Sequence, residues 1–158
     1  TTHREENVDN KETLSEIIKA ASKIAKELKI KGIFPIHPRT AKRIKEFGIK
    51  IPKTIITTNP LGYMSMLVLI KNAKIILTDS GGIQEEACTL KIPCVTMRES
   101  TERPETVEVG GNIITGTTSS KIVEGTMKML SRKKKWKNPF GNGTTGKKIV
   151  RIIIQKIK

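Results

Sequence analysis

Apolar positions along this chain follow two alternating rhythms. Leu14, Ile17, Ile18, Ala21, Ile24, Ala25 and Leu28 recur every three or four residues with Lys and Glu between them, which predicts an amphipathic helix. A polar stretch at 3–10 precedes it and reads as a loop, and Asp9 with Glu12 has capping-box spacing at the helix start. Short apolar runs at 32–36, 53–57, 74–79, 93–97 and 112–115 predict strands. Helices are predicted between them: 41–47 closed by Gly48, the strongly apolar 63–72, the segment IQEEACTL from Ile83, and a stretch opened by Ser119 and Ser120 and running to Leu130. Residues 98–105 and 131–146 read as charged and basic loops, and 147–158 as a last helix whose Ile-rich text also allows a strand. Strands alternating with helices make βαβ units. The fold class predicted is therefore α/β, a Rossmann-like parallel sheet with helices on both faces.

Right-handed crossovers place every strand-to-helix loop at the carboxyl edge of such a sheet. His3, His37, Asn59, Ser80 and Arg98 all fall in those loops, so they converge on one cleft suited to a di-anionic or nucleotide ligand. The central stretch is IILTDSGGIQEE at 75–86, an apolar strand turning through Ser80, Gly81 and Gly82 into a helix. Free N–H groups at a helix start, flanked by glycines that admit a ligand to the backbone, favour a phosphate. The same pattern also serves as an ordinary tight strand–helix turn, and spacing leaves both readings open.

Charge changes the picture only in part. Thirty basic residues against 15 acidic ones give +15, and ten of the basic residues lie in 131–158, which contains no Asp or Glu. Such an excess suits nucleic acid, anionic lipid or an anionic small substrate, but a solvated Lys-rich surface explains it more simply. Aromatic residues make up only 3%, which argues against a base-stacking nucleic-acid platform. No run is long and apolar enough for a membrane-spanning helix. Cys88 and Cys94 form neither a CxxC nor a metal quartet, and read as reduced, buried thiols of a cytoplasmic protein. Thr1, Thr2 and His3 read as the tip of a strand, which suggests a domain taken from a longer protein.

Individual side chains carry two readings each. His3, followed by Arg4, can donate to a phosphate or transfer a proton, or can be a surface histidine at a strand end. His37 before Pro38 shares that ambiguity and leans structural. Glu85 and Glu86 suit the helix dipole, and a Glu there can also accept from the two hydroxyls of a ribose. Arg103 is an anion clamp or a solvated loop charge. Neither a GxSxG elbow, a Walker A loop, GxGxxG nor HExxH occurs.

Five ordered motifs bear a resemblance: THREEN at 2–7, NPLGYMSML at 59–67, LTDSGGIQEEA at 77–87, MRESTERPETVEVGGNIITG at 97–116 and NPFGNGTTGKKI at 138–149. They closely resemble the non-hydrolysing UDP-N-acetylglucosamine 2-epimerases. The resemblance implies the second, nucleotide-holding half of a two-domain GT-B-like enzyme that acts without a cofactor. It implies interconversion of UDP-GlcNAc and UDP-ManNAc by elimination and re-addition of UDP. By matching position, His3 resembles the active-site histidine, Ser80, Gly81 and Gly82 the diphosphate turn, Glu86 the ribose carboxylate and Arg103 a further UDP contact. Arg4 and His37 fall where some bacterial members hold a second, regulatory UDP-GlcNAc. Leu61 and Met66 stand where some members use Gln and Phe to hold uracil, so uracil contacts here are expected to rest more on backbone groups. The family's acid/base carboxylates belong to the first half, which is not in this sequence. The expected partners are therefore a UDP-sugar and that missing half, with no nucleic acid or membrane, in a homodimeric full-length protein. A GT-B glycosyltransferase or an epimerase of another UDP-N-acetyl sugar is the alternative, and a basic nucleic-acid-binding domain a remote one.

Overall fold

In the computed structural model, which describes residues 1–157, five short strands run parallel. They are β1 (Gly32–Pro35), β2 (Ile55–Thr58), β3 (Ile76–Thr78), β4 (Cys94–Thr96) and β5 (Asn112–Ile114). The helices are α1 (Glu5–Val8), α2 (Lys11–Glu27), α3 (Pro38–Glu46), α4 (Tyr63–Lys71), α5 (Gly81–Thr89), α6 (Pro104–Glu108), α7 (Ser119–Ser131) and α8 (Thr145–Ile157).

The layering follows from the two-residue period of a strand. Val95 on β4, with Met97 just past its end, packs against Ile17, Ala20 and Ile24 of α2 and Ile122, Val123 and Met129 of α7. Cys94, on the opposite face of the same strand, packs with Ile70 of α4 and Ala87 of α5. Covered on both sides, β4 is buried throughout, as a central parallel strand requires. A third apolar group joins Leu14 and Ile18 of α2 to Phe34 of β1 and Ile55 of β2.

The strands form two groups. β1 pairs with β2, while β3, β4 and β5 form a separate ladder in sequence order. An apolar slot of about 420 Å³ separates β1 from β3, lined by Ile17, Ala21, Phe34, Ile55, Ile70 and Leu77 among others. Thr1 stands at this slot, its backbone nitrogen donating to the Leu77 carbonyl at 2.8 Å.

Several local expectations are corrected. The polar stretch at 3–10 is not all loop, because Glu5–Val8 make one helical turn with two carboxylates at its start. Asn10, not Asp9, caps α2 by accepting from Thr13 N at 2.8 Å. Asp9 instead faces Arg39 and Arg43 of α3, whose hydrogen bonds hold its carboxyl at about 2. The charged loop from Arg98 ends earlier than expected, since Pro104 opens the short helix α6 at a position where its missing N–H costs nothing. Within the basic stretch, Trp136 is buried against Gly111 and donates its indole N–H to the Cys88 carbonyl at 2.9 Å. The last segment is a helix, with no buried residue.

Candidate functional site

The turn from β3 into α5 leaves its helix start bare. Ser80 is the N-cap, with extended backbone and no side-chain hydrogen bond to the first turn. Its own N–H is held by the Thr78 hydroxyl at 3.0 Å, and its carbonyl accepts from Gln84 N at 3.1 Å. No acidic residue stands in the first turn. A Cβ on Gly82 would meet nothing within 4 Å, whereas one on Gly81 would lie 3.8 Å from the Arg103 guanidinium carbon and 3.7 Å from a Glu102 oxygen. Gly81 therefore forms the floor and Gly82 the open side of a cradle of free amides, with a guanidinium across from it.

Charged side chains gather beside this turn. Arg98 binds Glu102 with both contacts at 2.8 Å and Glu6 at 2.7 Å, and Arg4 reaches Glu102 at 3.2 Å. Hydrogen bonds from Arg98 hold the Glu102 carboxyl below its ordinary value. Arg103 pairs with Glu85 through Nε without an aligned hydrogen bond, and Arg4 Nε is buried with no acceptor among the described residues. Three guanidiniums thus rest on internal carboxylates, with donor capacity left over for an incoming anion. Thr101 fixes the loop, donating to Gln84 at 2.5 Å and accepting from Arg103 N at 3.0 Å. The Glu86 carboxylate forms no hydrogen bond or ion pair among the described residues, and burial, then the neighbouring Glu85, pushes its pKa up.

His3 is held at the cleft through Asp79, the residue before Ser80. The Asp79 carboxylate, fully buried, accepts from Thr2 Oγ1 at 2.6 Å, His3 N at 2.9 Å, Arg4 N at 3.0 Å and Asn7 Nδ2 at 3.1 Å. His3 Nδ1 lies 3.2 Å from the other carboxylate oxygen. Burial alone would raise the Asp79 pKa, but the bonds from Thr2 and the Arg4 and His3 amides outweigh it and hold the carboxyl low.

His37 caps α3, its Nδ1 accepting from Arg39 N at 3.3 Å, and its ring lies 5.5 Å from that of His3. Leu61, between β2 and α4, is exposed, while Met66 packs with the Ile70 group and lines the slot between β1 and β3. Direct contacts thus join His3, Arg4 and His37 in one group, and Gly81 with Arg103 in another beside it, through Glu102. Among the described residues, Leu61 and Met66 make no hydrogen bond or ion pair with either group.

The amino-acid sequence matches the family of UDP-N-acetylglucosamine 2-epimerases over residues 1–154. The chain belongs to this family. It is 54% identical over 157 residues to the UDP-N-acetylglucosamine 2-epimerase of Methanocaldococcus jannaschii, which covers 97% of this chain and 43% of that one. To the enzyme of the same description from Methanococcus maripaludis it is 48% identical over 162 residues, covering 100% and 44%. A crystal structure of the M. jannaschii UDP-GlcNAc 2-epimerase in complex with UDP-GlcNAc and UDP is similar with a TM-score of 0.89 at 52% identity, covering 98% of this chain and 44% of that one. This member of the epimerase family thus spans less than half the length of these relatives.

Sequence reasoning singled out the turn, Arg103 and His3, but missed the residues that hold them. Asp79, Asn7, Glu102 and Thr101 make the connecting contacts. Asp79 carried a readable signal: an ionisable residue at the end of an apolar strand is rarely buried unless it is paired.

Proposed function

We propose that this chain is the nucleotide-holding half of a UDP-N-acetylglucosamine 2-epimerase, a C-terminal domain whose first half supplies the acid/base carboxylates. The observation that carries the reading is the uncapped start of α5, open over Gly82 and faced by Arg103. Its amides and the helix dipole suit the diphosphate of UDP, and the unpaired Glu86 seven residues after Asp79 suits the ribose hydroxyls. Arg103 exchanges Glu85 for a phosphate oxygen when the nucleotide enters. His3 meets the diphosphate from the other side of the turn. The reaction removes the C2 proton and breaks the bond from C1 to the diphosphate oxygen, which leaves with the electron pair. Stabilising that departing charge is the share of the work that falls to this half. Leu61 and Met66 are assigned the uracil end, through the backbone of their segment, since the Met66 side chain packs with the Ile70 group.

The test uses the longer polypeptide, this chain joined to its first half, with UDP-GlcNAc in D2O. Proton spectra are expected to show UDP-ManNAc with deuterium at C2. Epimerisation with the C2 proton fully retained contradicts elimination and re-addition. The 158-residue chain by itself is expected to bind UDP and convert nothing.

A further inference from the structure

We propose that Asp79 is a positioning residue for His3: its carboxylate holds the imidazole proton on Nδ1 and leaves Nε2 as the nitrogen offered to the ligand. The assignment rests on how the two oxygens of one buried carboxylate are used. Oδ2 accepts from Thr2 Oγ1 at 2.6 Å, His3 N at 2.9 Å, Arg4 N at 3.0 Å and Asn7 Nδ2 at 3.1 Å, so its acceptor capacity is filled. Oδ1 has one long contact, to His3 N at 3.2 Å, and the imidazole Nδ1 at the same distance. Four donors on Oδ2 are the environment of an ionised carboxylate, which can only accept. A bare Nδ1 lone pair 3.2 Å from such an oxygen is repelled and an N–H is attracted, even though the contact is not an aligned hydrogen bond. The nitrogen beside Asp79 is therefore the protonated one, and the geometry selects the tautomer.

The other ring nitrogen has no hydrogen-bond partner among the described residues, and the His3 side chain is 38% exposed. Among the described residues nothing competes with a ligand for Nε2. The His3 ring also stands beside that of His37, tilted by 37°. Asn7 braces the arrangement from behind, its amide shared between Asp79 and the Met97 carbonyl at 2.9 Å. One carboxylate thus ties together the end of β3, the segment carrying His3 and Arg4, and, through Asn7, the end of β4. Because Asp79 immediately precedes Ser80, the histidine and the phosphate cradle are held in a fixed relation by adjacent residues. With a proton on Nε2, the ring donates to a diphosphate oxygen while Asp79 stays beside Nδ1.

The role of Nε2 toward a diphosphate rests on the function proposed above, but the tautomer does not. Nitrogen-15 spectra of the histidine side chains, recorded on the unaltered chain at about pH 8.5, above the ordinary histidine pKa of about 6.5, read it directly. His3 is expected to show a protonated Nδ1 and an unprotonated Nε2. A protonated Nε2 as the main form overturns the proposal, whatever the chain binds. In Asp79→Asn the preference for Nδ1–H is expected to disappear. If that variant does not fold, the unaltered spectrum still decides. In the longer enzyme, Asp79→Asn is expected to lower kcat at least tenfold with KM within a few-fold, and an equal loss in His3→Asn and in the double variant shows that the two act as one unit. Additive losses refute the coupling. A protonated Nδ1 in a chain that fails to bind UDP leaves the positioning intact and refutes the proposed function instead.

Discussion

Two strand-to-helix turns on the same edge of this protein show what separates a structural turn from a ligand cradle. α3 begins with Pro38, which has no N–H, and its next amide, Arg39 N, is taken by the His37 ring. The arginines of that helix, Arg39 and Arg43, close on Glu5, Asp9 and Glu46. α5 begins with two glycines and no cap, and the acidic residue beside it, Asp79, is turned away toward residues 2–7. Both helices carry the same dipole, yet α3 has two fewer amides to offer and a first turn already partnered. A helix start becomes a site when the chain leaves its donors unanswered.

Removing Asp79 should disturb this contrast most. Asp79→Ala leaves a hydroxyl, a side-chain amide and two backbone N–H groups buried without an acceptor, and a loss of about 3–5 kcal/mol is expected in chemical denaturation. The pH dependence has a definite sign. The folded pKa of Asp79 lies below its unfolded value of about 3.9, so its contribution is full above that pH and is lost as pH falls through the folded value. Stability of the unaltered chain should therefore fall more steeply in acid than that of Asp79→Asn.

Gly82→Asp sharpens the comparison by separating stability from binding. Open space surrounds a Cβ there, and a carboxylate in the first turn suits the dipole, so thermal stability should hold or rise by about 0.3–1 kcal/mol. The same carboxylate occupies the phosphate position, and UDP affinity should fall beyond a hundredfold by calorimetry. A variant that keeps its UDP affinity contradicts the cradle. Arg103→Ala should weaken UDP about tenfold, or ~1.4 kcal/mol, with a smaller effect on UMP. His37→Ala is the control at the other turn. Loss of the α3 cap should cost about 0.5 kcal/mol in stability and leave UDP affinity within twofold.

The sequence showed the bare turn, because a strand running into Ser-Gly-Gly with no Pro or Asp in the following turn is written in consecutive residues. It also placed His3, His37 and Arg98 on one edge, because alternating strands and helices dictate that placement. What it could not show was pairing at a distance. Asp79 meets Thr2 from 77 positions away and Arg4 meets Glu102 from 98, and neither partner leaves a mark in local periodicity. The cap on α2 failed for the same reason: Asp9 had suitable spacing, but Arg39 and Arg43 claim it and Asn10 takes the role. Division of the strands into two groups was equally hidden, since periodicity marks strands and not their neighbours. α8 was ambiguous because its Ile residues are all exposed, so no buried face chooses between helix and strand.

The most direct test of the central claim, that the open start of α5 holds a diphosphate, is calorimetric titration of UDP and UMP into the unaltered chain and into Gly82→Asp at physiological salt. If the claim holds, UDP binding is saturable, UMP binding is weaker, and the UDP preference is lost in the variant. Equal affinity for UDP and UMP, or a preference for UDP that survives Gly82→Asp, contradicts it.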